Sequence, residues 1–297
     1  MQEQIVTLRS KLDPSVNIVI DGSFETRFVV RDDAAIIYLS SFKGCSQACR
    51  MCHLTQNGQT DMTPATLEDF LGQAKLSLKE MQAYYETNGG APAYIHYNFM
   101  ARGEPLLNPT VMDHWDELSQ GLIDTAREFN TDAEILFKIS SIIPVLHTTD
   151  KDGIINGGYT EFPFKTNKPE IYYSLYSIDP EFRRRWIPNG QHPKDALRML
   201  ASYGRRGGAV RIHGAFIEGH NDSLDSVLDL VKAIKYFNTT DRFNIVRFNS
   251  PDENKWVEAS EEQLEHIRKF LTEKGFEVQM VDRVGADISA SCGTFVK

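Results

Sequence analysis

Strand-like and helix-like segments alternate along this sequence from Ala35 onward, and this alternation restricts the possible folds more than any other feature. Short apolar runs are separated by longer stretches whose apolar residues recur at helical spacing. Parallel strands need crossover connections, usually helices, so the pattern predicts an α/β chain with a parallel sheet. The predicted strands cover residues 35–40, 94–99, 134–139, 170–175, 209–216 and 243–248, with a further run at 277–281.

About six strand–helix units of this kind predict a partial (β/α)6 barrel, and their near-continuous apolar runs predict strands that are buried on both faces. Ahead of them, residues 17–30 predict a small hairpin that turns at Asp21 and Gly22. The predicted organisation is an N-terminal extension with this β-hairpin over residues 1–34 and a core barrel over residues 35–297. Residues 148–168 are rich in Gly, Asp, Thr and Lys and predict a loop.

Three of the four cysteines lie close together, at Cys45, Cys49 and Cys52. Three thiolates at this spacing can hold three irons of a 4Fe-4S cluster and leave the fourth iron open to bind and reduce a substrate. The alternative is a zinc site with His53 or Cys292 as the fourth ligand, since zinc also binds closely spaced Cys and His. Structural zinc sites usually have two paired groups of ligands, and this chain has one. The spacing therefore favours the iron–sulfur cluster.

The composition is typical of a folded enzyme and not of a disordered, secreted or membrane protein. Of the 297 residues, 41% are hydrophobic and 25% are charged, which is ordinary for a globular protein. No apolar run approaches the roughly 18 residues of a membrane span, and the polar start predicts no signal peptide. Four cysteines, three of them clustered, do not resemble a disulfide framework. We therefore expect a cytoplasmic location, where reducing conditions also suit an iron–sulfur cluster.

The charge of the chain opposes strong non-specific binding to nucleic acid. There are 32 basic and 41 acidic residues, so the formal net charge is −9, and a polyphosphate backbone is repelled by most of such a surface. Any contact with nucleic acid must therefore be local. A group of basic residues can form a local patch or be a solvated helix face. Its members are Arg183, Arg184, Arg185, Lys194, Arg198, Arg205 and Arg206.

Polar residues follow several predicted strands, at the end of a barrel where catalytic groups gather. Glu104 comes shortly after the second strand, and its carboxylate can accept hydrogen bonds from an ammonium group. Ser140, Ser174 and Asn249 lie at or just beyond later strands, where hydroxyl and amide groups can hold a polar ligand. Taken singly, each of these residues is also explained as part of a turn or as a strand-end cap.

Together these motifs resemble the RlmN/Cfr-type RNA adenine methyltransferases, a family of the radical S-adenosylmethionine (SAM) superfamily. The cysteine loop resembles the cluster-binding loop of that superfamily, and the match extends from about residue 21 to the C-terminus. The blocks that carry it follow the family's order. They are Phe24-Glu25-Thr26, residues 40–45 (SSFKGC), residues 99–108 (FMARGEPLLN), Ser174-Leu175-Tyr176, residues 218–223 (EGHNDS) and residues 285–293 (GADISASCG).

The resemblance implies a radical SAM barrel with two cofactors, a 4Fe-4S cluster and SAM, in which Cys45, Cys49 and Cys52 are the cluster ligands. Cys292 would carry a methyl group, as S-methylcysteine, from one SAM to an adenine carbon, by radical chemistry on a second SAM. Glu25 would accept the proton. The residues that would surround SAM are Gly103, Glu104, Ser140, Ser174, Leu175, Tyr176 and Asn249.

The chain departs from the family at one chemically important position. The family has a second reactive cysteine seven residues before the first cluster cysteine, where it releases the product by forming a disulfide with the carrier. Here that position is Tyr38. A phenol can transfer a proton but cannot form a disulfide, so release would need an external thiol, another route or a different reaction. Met51 and Tyr176 also differ from the usual residues, and we expect the family's N-terminal accessory domain to be lacking.

The resemblance implies rRNA or tRNA as the substrate and an electron donor such as flavodoxin or ferredoxin. Two alternatives remain open. In the first, the radical enzyme modifies a different substrate, a nucleotide or a peptide, without methyl transfer, and Tyr38 favours this reading. In the second, the chain is a non-catalytic iron–sulfur or zinc RNA-binding relative of such enzymes.

Overall fold

A ten-stranded sheet forms the centre of the molecule in the computed structural model, which describes residues 4–129, 131–145, 147–149, 155–158 and 161–296. The hydrogen-bonded order is β1-β2-β3-β4-β5-β6-β9-β10-β11-β12, and β7 and β8 form a separate antiparallel pair. The strands are β1 (Ile5–Arg9), β2 (Val16–Ile20), β3 (Phe24–Arg31), β4 (Ala34–Tyr38), β5 (Tyr94–Phe99), β6 (Glu134–Ser141), β7 (His147–Thr149), β8 (Ile155–Gly158), β9 (Glu170–Ser174), β10 (Val210–Gly214), β11 (Arg242–Val246) and β12 (Glu277–Val281).

The sheet has an antiparallel part and a parallel part. Strands β1 to β4 pair antiparallel, whereas every pair from β4 to β12 in the large sheet is parallel. The parallel part carries the crossover helices, so the α/β prediction is confirmed. The helices are α1 (His53–Gln56), α2 (Leu67–Asn88), α3 (Pro109–Asp113), α4 (Trp115–Arg127), α5 (Pro180–Trp186), α6 (Pro193–Arg205), α7 (Leu224–Phe237) and α8 (Glu261–Glu273), with 3-10 turns at Pro105–Leu107 and Ala286–Ile288.

The predicted hairpin is confirmed as the pair β2 and β3, which is joined by a tight turn. Asp21 and Gly22 both have positive φ, 48° and 65°, as the central residues of a type I′ turn require, and Ser23 N donates to Ile20 O at 2.9 Å. The edge strand β1 was not predicted. Since β1 to β3 continue the same sheet as the barrel strands, the division into an extension and a core stays a prediction.

The strand positions agree closely with the sequence-based prediction, and the inner face of the barrel carries polar residues that were not predicted. Strands β5 and β12 begin and end where predicted. On β5, Ile95, Tyr97 and Phe99 are fully buried in the core, whereas His96 and Asn98 line a cavity inside the barrel. The predicted burial on both faces is confirmed for strands such as β4 and β10, in which every residue is buried, although polar residues occur along the inner face.

The predicted loop at residues 148–168 lies partly outside the described residues. Strands β7 and β8 pair at its start, and its last part is held in the core, where Phe162 and Phe164 are buried. The ring of Phe164 lies 5.0 Å from that of Trp115 on α4. None of the helices in the described part of the chain is long and apolar enough to cross a membrane.

Substitution of Phe99 by Ala tests the packing between β5 and its covering helices. Phe99 is 0% exposed, and its ring lies 5.4 Å from Phe70 and 5.6 Å from Trp115. We expect the free energy of unfolding, measured by urea denaturation, to fall by about 3–5 kcal/mol, because the truncation leaves a cavity among rigid neighbours. The control Tyr236→Ala, at a residue that is 83% exposed, should change it by less than about 0.5 kcal/mol.

Candidate functional site

The cysteine loop follows β4 and is held in place by backbone contacts. Gly44 N donates to Asp61 O at 2.7 Å, and Cys45 N donates to Gln59 O at 3.0 Å. A Cβ on Gly44 would lie 2.5 Å from Gln59 O, so this close approach requires glycine. Within the loop, Ala48 has a φ of 55°, a left-handed conformation that is unfavourable for alanine and is often found at functional sites.

The three clustered cysteines face one cavity at the carboxyl ends of the parallel strands. This cavity has a volume of ≈ 130 Å³, and Cys45, Cys49 and Cys52 all line it. We call it the cluster-side cavity. The other residues predicted for the site that line it are Gly103, Glu104, Ser140, Ser174, Tyr176 and Cys292. Residues that are far apart in the sequence therefore come together as the resemblance implies.

The chemistry of the three thiols fits an iron–sulfur cluster. Burial raises the pKa of Cys45 to about 12 and that of Cys52 to about 11, and it raises the pKa of Cys49 well above its usual value. Thiolates at these positions need a nearby cation, and a bound metal centre supplies one. In the described residues, no group of three or more His, Cys, Asp or Glu side chains converges on a single metal ion. A 4Fe-4S cluster needs no such convergence, since each cysteine binds a different iron.

Glu104 is held rigidly at the wall of this cavity. Its carboxylate oxygens accept hydrogen bonds from Leu106 N and Ile142 N, each at 3.2 Å. Gly103 has a φ of +93°, and a Cβ there would lie 2.8 Å from Phe42 N, so only glycine allows the chain to pass. Burial raises the pKa of Glu104 to about 7. The carboxylate is thus charged above neutral pH and protonated below it.

Two further predicted residues show local features of a ligand site. Ser140 Oγ is buried and has no hydrogen-bond partner among the described residues, although most buried polar atoms are paired. Tyr176 has a φ of 54°, and its carbonyl oxygen accepts a hydrogen bond from Asn221 Nδ2 at 3.0 Å. Both residues line the cluster-side cavity, so its wall contains both an unpaired hydroxyl and a residue with a strained backbone.

Cys292 lies between this cavity and a second one inside the barrel. The second cavity, which we call the lumen cavity, has a volume of ≈ 330 Å³ and shares Cys292, Met100 and His213 with the first. The Cys292 side chain is exposed because it faces these two spaces. Desolvation raises the pKa of Cys292, and the charges of Arg27 and Arg31 oppose that shift.

Asn249 and Leu175 do not line the cluster-side cavity. Asn249 lines the lumen cavity and not the cluster-side cavity. Its Nδ2 donates to Cys292 O at 2.9 Å, so it holds the Cys292 backbone. Leu175 is buried in the core and lines neither cavity. Whether either residue contacts SAM stays a prediction.

Glu25 also lines neither cavity and is the centre of a buried ionic cluster. It is 0% exposed, and its carboxylate accepts two hydrogen bonds from Arg102, at 2.8 and 2.6 Å. It accepts three more, from Arg27 at 3.1 Å, Asn17 at 3.1 Å and Val296 N at 2.9 Å. Both oxygens are therefore committed to these donors, and the role of Glu25 as a proton acceptor stays a prediction.

The two arginines connect Glu25 to the C-terminal segment and to the cysteine loop. Arg102 donates to Val296 O at 2.6 Å and to Lys43 O at 3.2 Å. Arg27 donates to the carbonyl oxygens of Ala290, Ser291 and Thr294, at 3.0, 3.3 and 2.7 Å. We call Glu25, Arg27 and Arg102 the clamp. It fixes the segment that carries Cys292 against the loop that begins at Cys45.

The basic group at 183–206 is partly structural. Arg183 is buried and donates to Leu175 O at 2.9 Å and Gln191 O at 3.2 Å. Arg184 and Arg185, its neighbours on α5, are exposed. The buried arginine therefore stabilises the strand-to-helix connection, and only part of the group is available at the surface.

Sequence reasoning missed the polar inner face of the barrel. Five residues of that face line the lumen cavity, and they are His96, Asn98, Lys138, Tyr172 and His213. The alternation of polar and apolar residues along 94–99 and along 210–214 was the available indication. This alternation was hard to recognise in the sequence, because tyrosine, leucine and isoleucine occupy some of the inward-facing positions.

Comparisons with known proteins agree with this geometry. The chain is 22% identical over 285 residues, 93% of its length, to the dual-specificity RNA methyltransferase RlmN of Dichelobacter nodosus (strain VCS1703A), and the alignment covers 71% of that protein. No family model matches the chain.

Two solved structures share the fold. A radical SAM methyltransferase from Sphaerobacter thermophilus superposes with a TM-score of 0.72 at 17% identity, covering 98% of this chain and 80% of that one. A structure of TYW1 with a lysine-pyruvate adduct bound superposes with a TM-score of 0.53 at 17% identity, covering 84% of this chain and 77% of that one. The likeness confirms the predicted partial barrel.

Substitution of Glu25 by Gln tests the clamp. The change leaves Arg27 and Arg102 buried without their counter-charge, so we expect the free energy of unfolding to fall by about 3–5 kcal/mol. We also expect faster alkylation of Cys292 by iodoacetamide, followed by peptide mass spectrometry, because its segment is released. The control is Glu86→Gln on the exposed side of α2. An unchanged unfolding midpoint and an unchanged alkylation rate would contradict the role of the clamp.

Proposed function

We propose that the chain, which is 22% identical to the RNA methyltransferase RlmN of Dichelobacter nodosus and shares the fold of a radical SAM methyltransferase, is a member of the RlmN/Cfr-type family. In this proposal it methylates an adenine in RNA through an S-methylcysteine intermediate on Cys292. The cofactors in this proposal are a 4Fe-4S cluster and SAM. The observation that carries it is the position of Cys292, which borders the cavity of the clustered cysteines and also the lumen cavity. A methyl carrier must reach both the methyl donor and the substrate.

Different residues of the cluster-side cavity would bind the two cofactors. Cys45, Cys49 and Cys52 would hold the cluster, and together with SAM it supplies a one-electron cleavage that generates a hydrogen-abstracting carbon radical. Glu104 offers a carboxylate for the ammonium group of the methionine moiety. The unpaired hydroxyl of Ser140 offers a hydrogen bond to the same ligand.

Cys292 acts as the nucleophile in the proposed first step. Its sulfur forms a bond to the methyl carbon while the bond from that carbon to the sulfonium breaks, and the reaction requires the thiolate. Desolvation raises the pKa of Cys292 and so disfavours the thiolate, and the charges of Arg27 and Arg31 offset part of that shift. The clamp and Asn249 hold the backbone on either side of the sulfur, so the thiolate is positioned and not freely mobile.

Tyr38 replaces the cysteine that resolves the adduct in the family. It lines the lumen cavity together with Cys292, and burial raises its pKa, so its phenol stays neutral and can donate a proton. Release of the product then depends on an external thiol or another route. A second candidate function is radical modification of a nucleotide or peptide without methyl transfer, and Tyr38 is the observation that favours it.

The partners in this proposal are rRNA or tRNA and a flavodoxin-like or ferredoxin-like electron donor, in the cytoplasm. A net charge of −9 disfavours a large phosphate interface. Contacts with RNA are therefore expected to be few and to centre on the modified base.

Peptide mass spectrometry on Cys292 tests the proposed function directly. We expect a methyl group on Cys292 after anaerobic incubation of the cluster-loaded protein with SAM. Cys292→Ala should abolish methyl transfer and leave reductive SAM cleavage intact, because radical generation does not need the carrier. The control Cys49→Ala should lose the cluster and both activities. A bare Cys292 thiol in the cluster-loaded, SAM-treated protein would favour the second candidate function.

The pH dependence of SAM binding tests the role of Glu104. Its raised pKa of about 7 means that the carboxylate is protonated at lower pH, so SAM affinity should increase as pH rises through 7, up to the pH at which the ammonium group of SAM itself loses its proton. Glu104→Gln should remove this dependence and weaken binding by about 10-fold or more at pH 8, since a charge-assisted hydrogen bond is lost. Calorimetric titration of the cluster-loaded protein measures both effects. A pH profile that is the same in the variant would exclude Glu104 from the ammonium site.

A further inference from the structure

Three polar side chains form a row across the inner face of the barrel. In the parallel register, Tyr38 on β4 pairs with Asn98 on β5, and Asn98 pairs with Lys138 on β6. Adjacent strands lie about 4.8 Å apart, so a phenol, an amide and an ammonium group stand side by side. All three line the lumen cavity together with Cys292.

The middle member of this row has an unused hydrogen-bonding atom. Asn98 is 5% exposed, and its Oδ1 has no hydrogen-bond partner among the described residues. Nδ1 of His96, two residues earlier on the same face, is also buried and has no hydrogen-bond partner among the described residues. Native proteins rarely leave such atoms unpaired. Their presence in the wall of a cavity points to a ligand that supplies the missing partner.

Lys138 adds a free cation to the row. Its ammonium lies 5.4 Å from the centre of the Tyr172 ring, and within the described part of the chain it makes no ion pair. The wall around His213 is different, because His213 bonds to Asn244 at 3.1 Å and Asn244 bonds to Arg211 at 3.0 Å. The polar groups there are hydrogen-bonded to each other. The groups that remain available to bind a ligand are therefore those of Asn98 and Lys138.

The donors and acceptors of this row match one kind of nucleobase. Adenine presents an amino donor next to ring nitrogens that accept, and an amide pairs with that edge through two hydrogen bonds. Guanine presents a carbonyl oxygen at the same place and a ring N–H beside it, so it pairs with an amide only in the flipped orientation and offers Lys138 no ring acceptor on that edge. We infer that Asn98 binds the amino edge of adenine inside the lumen, with Lys138 donating to a ring nitrogen, and that this contact sets the base specificity.

This inference deepens the proposed function and rests on its adenine substrate. It agrees with the charge of the protein, because a chain of net charge −9 gains little from phosphate contacts and must discriminate through the base. The ligand chemistry, an adenine nucleotide, can come from free nucleotide or from RNA. The proximity of the row to Cys292 places the base beside the predicted methyl carrier.

Binding measurements on the cluster-loaded protein with SAM test the inference. The probes are adenosine 5′-monophosphate, purine riboside 5′-monophosphate, which lacks the amino group, and a short single-stranded RNA that carries either base at one position. We expect the adenine form to bind about 10-fold more tightly than the purine form. Discrimination by the RNA alone would identify RNA as the source of the base, and discrimination by the monophosphates would identify free nucleotide.

Substitutions at the row assign the effect to Asn98. In Asn98→Ala the ratio of the dissociation constants for the purine and adenine probes should fall to about 1. Gln279 is an exposed amide on the wall of the same cavity, and Gln279→Ala should retain the wild-type ratio. Asn98→Asp tests the inference in a second way, since a carboxylate accepts from the two adjacent donors of guanine. That variant should bind guanosine 5′-monophosphate more tightly than the wild type does. Thermal melting of each variant establishes that it is folded.

Several outcomes would overturn the inference. They are equal binding of adenine and purine probes by the wild type, no binding of either probe type at millimolar concentration, or discrimination that persists in Asn98→Ala. The methylation state of Cys292, measured in the same samples, separates this test from that of the proposed function. Lost discrimination with a methylated Cys292 overturns the Asn98 role alone. Intact discrimination with an unmethylated Cys292 overturns the methyl-carrier role alone.

Discussion

The buried ion cluster of Glu25, Arg27 and Arg102 is the interaction on which the arrangement of the site depends. A carboxylate and two guanidinium groups out of water are costly unless their hydrogen bonds are satisfied, and here the carboxylate accepts five. The arginines also donate to carbonyl oxygens of the C-terminal segment and of Lys43. The hairpin, the loop after β5 and the chain end are thereby joined at one point.

This joint gives Cys292 its place between two spaces of different chemistry. On one side are three thiols and a set of small polar groups that suit a cluster and SAM. On the other is a larger lumen with an amide, an ammonium and phenols that suit a substrate base. A short flexible tail would sample many positions, whereas a segment bonded through successive carbonyl groups holds its sulfur at the boundary. The barrel thus has two adjoining cavities of different lining, and Cys292 is the one cysteine among the three residues that line both.

Sequence reasoning was accurate where a local pattern carries the information. Strand β5 and strand β12 were predicted at their correct bounds, because apolar β-formers flanked by Gly, Pro and polar residues identify a strand locally. The turn at Asp21 and Gly22 follows from the need for positive φ. The contacts of Glu25 with Arg102 and Val296, and of Asn249 with Cys292, join residues more than 40 positions apart in the sequence. No local pattern records such contacts.

The sequence by itself determined the α/β class, the cysteine loop and the glycines that the site requires, since each depends on residue type and short spacing. Only the tertiary structure decided which residues share a cavity. Barrel closure brings strand ends together, and register then places Tyr38, Asn98 and Lys138 in one row. The same closure buries Glu25 and leaves Cys292 open, although both occur in short motifs of the sequence. The sequence alone could not decide these outcomes, because the burial and the direction of a side chain depend on packing across the whole sheet.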